Sequence, residues 1–504
     1  MKKILDEREK MQRQQHRRLI ITEALMFLAV LMLVVFLTLV VMGYSFNLRE
    51  IGGSGEVVER SGLVQISSLP TGATIYIDGE APLLLSTNAS RTMLSGEHEI
   101  SLEREGFLGW KKTVKVVEGM MYRLNYPRLF KEERETEEVM TLGKEVSFVS
   151  VSPNNERMVV LMEGVLYVAN LNENEPKLKE LEIAGADGNV VKITTFVEPE
   201  WSGNSEKLLA KVNGEWAVVN VRAPKETVWL GAVLAERGVR DIKFENEAGD
   251  RLLVLNDKKE LLELDARDKT FGEVLATEVE RFDNDGDRVV YLAPAEFKVT
   301  TKRTVEEEET VEMVEGYGVY GYRVGDKEGH VLTKVEGEKD RVRLATMRYF
   351  QESYVGVYDG GYGGGRFRVL VKTGWVSEEQ GMAEVFAEKV EFETVSVKKR
   401  GKGMVFELAG TAEGGSVESQ VFDIEAMSLV KVDAKNTGWV DEYLRYRLKD
   451  GKLSVMDYDG LNERVLVESG VLKGRVVAIS GNNRWLYYFV KDKDGEKLVR
   501  EKIN

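Results

Sequence analysis

From residue 146 onward the chain repeats one theme. An alternating apolar strand is followed by a polar turn, a strand of Val, Leu and Tyr, a second turn and a further strand. Units start at Val146, Ile193, Val239, Val279, Val342, Val390, Thr437 and Gly474, giving spacings of 47, 46, 40, 63, 48, 47 and 37 residues. Repeats with a period of about 40–50 residues and several strands each must stack on their neighbours to bury their faces, which leads to a β-propeller. The starts predict eight blades, or seven if one unit is an insertion. The 63-residue spacing hosts an extra segment around Glu296–Gly316. Its acidic run, Glu306–Glu309, reads as a solvated hairpin tip. The last unit runs out at Leu498–Ile503, short of an outer strand. Glu138–Leu142, just ahead of the first unit, can supply that strand, join the two ends of the body and remove free edges.

The N-terminal region obeys a different rule. Ala24–Tyr44 contains no charged residue. At about 1.5 Å per residue it spans roughly 31 Å as a helix, close to the ~30 Å of a bilayer core. A cleaved signal peptide has a shorter apolar run and a small-residue cleavage site, and Gly43-Tyr44-Ser45-Phe46 does not offer one. An uncleaved anchor over 24–46 is the expectation. Lys2, Lys3, Arg8, Lys10, Arg13, Arg17 and Arg18 precede it, whereas Arg49, Glu50, Glu56 and Glu59 follow. Positive residues remain cytoplasmic, which places the N-terminus inside and the body outside. The basic segment 1–23 is read as a topology signal. Ile51–Glu56 is a flexible spacer within a linker over 47–59.

Next comes a short β-rich stretch. Leu63–Ser67, Thr74–Ile77, Glu97–Leu102 and Thr113–Val117 alternate as strands, and Pro70–Ala73 and Asp78-Gly79 are turns. The order Ser68-Leu69-Pro70-Thr71-Gly72-Ala73, Ile75-Tyr76-Ile77-Asp78-Gly79, Gly96-Glu97-His98 and Gly106-Phe107 resembles the PEGA domain, a small β-sandwich module of bacterial and archaeal envelope proteins. The resemblance covers residues 60–127 and implies an extracytoplasmic interaction or spacer module. It departs after Asp78-Gly79, where Glu80-Ala-Pro-Leu-Leu-Leu85 replaces the family's Gly-x-Thr-Pro turn. His98 is read as a structural strand residue.

A charged linker over 128–138 separates this module from the repeats, which fill 139–504. Ser150-Val-Ser-Pro-Asn-Asn155, Ile479-Ser-Gly-Asn-Asn483 and Leu453–Asn462 resemble the units of TolB-type and WD40-like propellers. The fold class is therefore mainly β, with a transmembrane helix, a small sandwich and a seven- or eight-bladed propeller.

The residues offer little chemistry. The chain has no cysteine and only three histidines, His16, His98 and His330. Thiolate chemistry is excluded, and imidazole general bases are scarce. The formal net charge is −15; the first 18 residues carry seven basic and three acidic side chains, so the remainder carries −19. An acidic body argues against nucleic-acid binding. No Gly-x-Ser-x-Gly or His-Glu-x-x-His motif is present. Gly360–Arg366 is glycine-rich but lacks the Lys-Ser/Thr of a phosphate loop, so it reads as an inter-strand loop. Asp283/Asp285, Asp457/Asp459 and Asp492/Asp494 each sit in Asp-x-Asp-Gly. Such pairs can ligate Ca²⁺, yet Asp-Gly is also a common hairpin turn and no Glu follows at EF-hand spacing. Trp110, Trp201, Trp216, Trp229, Trp375, Trp439 and Trp485 are read as core before binding surface.

These readings point to no cofactor and no catalytic group. The expected partners are the membrane, through residues 24–46, and an envelope protein or glycan. A glycan lyase or hydrolase with carboxylates or a tyrosine at the channel mouth is the alternative.

Overall fold

The computed structural model describes residues 21–38, 44–46, 58–81, 85–142, 146–185, 188–302, 309–361, 363–373, 382–400, 404–412, 415–493 and 495–504. The chain divides into two compact units, Met1–Leu129 and Phe130–Asn504.

The first unit contains the helix Ile21–Thr38, long and apolar enough to cross a membrane. A small sandwich follows. One sheet joins Tyr44–Phe46, Val58–Ile66 and Ala89–Leu94, with Met121–Leu124 parallel to Val58–Ile66; the other orders Thr74–Ile77, Gly96–Glu103 and Trp110–Val116. Strict alternation in Trp110–Val116 buries Trp110, Lys112, Val114 and Val116. Lys112 is tolerated inside because its Nζ donates to Tyr126 Oη at 2.8 Å. Two sequence boundaries shift. Tyr44–Phe46, assigned to the anchor by hydropathy, pairs as a strand with Val58–Arg60, so strand pairing claims residues that apolarity alone could not separate from the helix. For the same reason Val58 and Glu59 belong to the sandwich rather than the linker.

In the second unit, the described strands form eight four-stranded antiparallel sheets, each built from consecutive strands except the last. Numbered along the chain, their innermost strands are Val146–Val151, Phe196–Trp201, Asp241–Phe244, Arg281–Asp285, Arg343–Tyr349, Thr394–Arg400, Thr437–Trp439 and Ala478–Ile479. Each begins within four residues of a repeat start read from the sequence. The second strands, such as Arg157–Met162 and Arg251–Leu255, bury nearly every side chain because neighbouring sheets cover both faces.

Neighbouring blades share their cores. Val159 and Leu161 of blade 1 cluster with Leu208 and Ala210 of blade 2, and Leu253 of blade 3 clusters with Val289 of blade 4. Phe367 and Phe406 join blades 5 and 6 with ring centroids 6.1 Å apart. Blades 8 and 1 share Tyr487, Phe489, Met158 and Val160, and Tyr487 Oη donates to Leu171 O at 2.9 Å.

Thr136–Thr141 is the outer strand of blade 8, paired with Gly495–Lys502. The ring therefore closes between the first and last strands of the second unit, as the short final unit led us to expect. Arg500 fastens the seam: its guanidinium donates to Glu137 Oε2 at 2.7 Å and stacks 3.7 Å from the centroid of Trp485. The charged linker is correspondingly shorter than the sequence suggested, since Thr136 is already in a strand and the Lys131 N–H donates to Ile503 O. The long unit holds a β-hairpin, Arg288–Lys302 with Glu309–Arg323, in continuous register from Arg288↔Arg323 to Lys302↔Glu309. Of the acidic run at its tip, Glu306–Glu308 lies outside the described residues.

Candidate functional site

The innermost strands carry a charge network linking four consecutive blades. Asp283 on blade 4 accepts from Lys243 Nζ of blade 3 at 2.6 Å and from the Thr346 N–H of blade 5 at 2.9 Å. Two residues on, Asp285 accepts from Arg348 Nε of blade 5 at 3.1 Å and Lys399 Nζ of blade 6 at 3.2 Å. Lys399 also donates to Asn284 O at 2.7 Å. A side chain of blade 6 can meet blade 4 only where the innermost strands converge around an axis, so this network lies at the centre of the ring.

Strand alternation explains the placement. In Arg281–Asp285 and Asp241–Phe244 the charged residues occupy every second position, and Phe282, Asn284, Ile242 and Phe244 are buried between them. Asn284 is satisfied by donating to Phe244 O at 2.8 Å.

The electrostatics are uneven. Burial opposes ionisation of Asp283, but Lys243 and Lys399 outweigh it and hold the carboxyl below its ordinary range. Burial likewise opposes the charge on Lys243, and Asp283 and Asp241 reverse the balance, so its ammonium is strengthened. Glu200, on the blade 2 innermost strand, has no such compensation. Desolvation dominates over the pull of Lys243 and raises its carboxyl to about 7. Asp241 is raised too, chiefly by burial. One carboxyl half-protonated at neutral pH and another held ionised is a division of roles that general acid–carboxylate chemistry uses.

A second set of built features lies in the turns between first and second strands. Ser152 Oγ pairs with Asn154 Oδ1 at 2.7 Å, Ser202 with Asn204 at 2.8 Å and Ser480 with Asn482 at 2.7 Å, in blades 1, 2 and 8. These turns also reach the next blade: the Gly481 N–H donates to Asn155 O, the Asn154 N–H to Ser205 Oγ and the Asn204 N–H to Glu247 O. They are joints of the ring.

The aspartate pairs fall in different settings. Asp283 and Asp285 spend their oxygens on lysine, arginine and backbone N–H groups. Asp457 accepts from Asn462 Nδ2 at 2.8 Å, and Asp459 caps its own turn through the Leu461 N–H at 3.0 Å. Asp492 pairs with Gly495 across a hairpin, and Asp494 lies outside the described residues. Among the described residues, no group of three or more His, Asp or Glu side chains converges on a metal-sized site.

The remaining candidates are structural. His98 bridges Asp78 Oδ2 at 2.7 Å and Leu94 O at 2.9 Å within the sandwich, and hydrogen bonding to His98 lowers the Asp78 carboxyl. His330 begins the outer strand of blade 4, and His16 is outside the described residues. Trp110 and Trp485 are buried, Trp201, Trp216, Trp229 and Trp439 are half-buried, and Trp375 is outside the described residues. The glycine run is the hairpin turn of blade 5, where a Cβ at Gly360 or Gly365 would lie 2.7 Å from the Tyr358 ring. No phosphate-loop helix follows it; the chain continues as Gly364–Thr373. The charge network itself was missed in the sequence, although charges at alternate positions in Phe196–Trp201, Asp241–Phe244 and Arg281–Asp285 signal it.

Residues 61–129 match the PEGA domain. The match covers the small sandwich and none of the ring. No curated protein matches the chain in sequence. Among solved structures, the oligogalacturonate lyase from Vibrio parahaemolyticus aligns at 10% identity and a TM-score of 0.36, covering 72% of this chain and 98% of the lyase. The Myceliophteria thermophila Cps50 (Swd1) β-propeller domain aligns at 9% identity and a TM-score of 0.35, covering 73% of this chain and 100% of that domain. A eukaryotic initiation factor aligns at 9% identity and a TM-score of 0.39, covering 72% of this chain and 87% of the factor.

Proposed function

We propose that this chain is a binding or scaffold protein of the cell envelope, held in the membrane by its N-terminal helix with its body outside. The order of its parts carries the reading: an apolar helix, a PEGA domain, then a ring sealed by its own two ends. Basic residues before the helix and acidic ones after it support the orientation. A ring whose blades lock through shared cores and turn-to-blade hydrogen bonds fixes its loops in space, and fixed loops favour recognition. The repeated Ser-x-Asn joints support a TolB-type or WD40-like ring. The partner is an envelope protein or glycan.

Glu200 supports a second reading, a glycan lyase or hydrolase, because its raised carboxyl lies beside Asp241 and the ionised Asp283. One experiment separates the two. Purified protein is incubated with solubilised envelope, and captured proteins and glycans are analysed together. Saturable capture of an intact partner is expected. Glycan returned shortened or unsaturated, with that activity lost in Glu200→Gln, would overturn the scaffold reading in favour of the enzyme.

A further inference from the structure

One end of the sandwich exposes four apolar side chains beside an exposed Arg60–Glu118 ion pair at 2.9 Å. Leu94, Val117, Met120 and Met121 are 44, 49, 60 and 40% exposed. They converge on three consecutive residues of the strand Val58–Ile66. Leu94 is the register partner of Ser61, and Ser61 O accepts from the Gly119 N–H at 2.9 Å. The Leu63 N–H donates to Met120 O at 2.9 Å, and Met121 is the partner of Leu63. Gly62 sits beneath the turn, where a Cβ would come 2.5 Å from Val117 O and 3.1 Å from Met120 O. The turn that presents Val117 and Met120 is therefore seated directly on the strand. The opposite end carries Arg104 and Glu105 in its turn.

Connectivity says what covers the apolar end. Sequence apolarity continues past the helix through Leu39-Val40-Val41-Met42, so the hydrocarbon edge falls near Gly43-Tyr44. Tyr44 is the register partner of Arg60, on the same side of the Val58–Ile66 strand as Met121–Leu124. Arg60 and Leu63 are three residues apart, which is about 10 Å along a strand. The chain thus joins the sandwich about 10 Å from Met121, as soon as it leaves the apolar run. Interfacial side chains lie about 5–10 Å deep in the headgroup–acyl boundary, which matches that reach.

We propose that this end of the PEGA domain, through Leu94, Val117, Met120 and Met121, rests in the lipid surface that the anchor crosses. The proposal builds on the membrane-anchored reading above. It makes the sandwich a foot on the bilayer rather than a free spacer.

The chain has no cysteine, so single cysteines can be labelled without background. Full-length Met120→Cys and Val117→Cys proteins, and Glu105→Cys at the opposite end, are labelled with an environment-sensitive fluorophore. They are reconstituted in phosphatidylethanolamine–phosphatidylglycerol vesicles carrying a headgroup-level nitroxide. Quenching at 120 and 117 should be about fivefold stronger than at 105. Protein that floats with the vesicles but shows equally weak quenching at all three positions overturns the proposal and leaves the anchor standing. Protein that does not float overturns both.

Discussion

At the centre of the ring, Glu200 and Asp283 show how one environment divides like residues. Both are carboxyls near Lys243, but Asp283 also receives Thr346 N–H and the field of Lys399, whereas burial governs Glu200. The consequence for stability has a definite sign. The Glu200 carboxyl goes from 4.5 to about 7 in the fold, so the folded state prefers the protonated form. Its contribution is full below pH 4.5 and is lost as pH rises through about 7. The shift corresponds to roughly 3 kcal/mol, which the partial exposure of the Glu200 side chain discounts to about 2 kcal/mol. Glu200→Gln should therefore stabilise the protein by about that amount at pH 8 and leave it nearly unchanged at pH 4.5. Urea unfolding at the two pH values checks this; an equal effect at both would remove the assigned cause.

At the scale of strands and turns, the seam and the long hairpin make opposite predictions. Gly495–Lys502 is paired on both sides, with Trp485–Asp492 and with Thr136–Thr141. Deleting residues 496–504 removes the strand that Thr136–Thr141 pairs with and uncovers part of the core shared by Tyr487, Phe489 and Met158. Cooperative unfolding of the ring should be lost; a soluble truncation with an unchanged melt would contradict the closure. The outer part of the hairpin beyond Ala295↔Gly316 should be dispensable by contrast, because the cluster shared with blade 5 uses Val290, Leu292 and Val319 nearer its base. Replacing residues 296–315 with a two-residue turn should shift Tm by less than about 2 °C, as measured by calorimetry. A larger drop would show that the arm is part of the core.

These elements also show what a sequence can disclose. Repeat spacing exposed the blades because each unit must restart its apolar alternation, and the short last unit exposed the seam because a ring cannot leave an edge strand unpaired. The PEGA turns were legible because Gly72, Gly79 and Gly106 adopt positive φ. The charge network was not, since Lys243, Asp283 and Lys399 are far apart in the chain and meet only when four blades converge. Tyr44–Phe46 was absorbed into the anchor because hydropathy cannot distinguish an apolar strand from the end of an apolar helix.

For the whole molecule, the proposed envelope role requires the body to lie on the far side of the membrane from residues 1–20. The most direct test is protease added to intact cells expressing the full chain with epitopes at both ends. The account predicts that the C-terminal epitope is lost while a short N-terminal fragment containing the helix survives until the cells are opened. A protected C-terminal body, with the N-terminal epitope cleaved from outside, would contradict it.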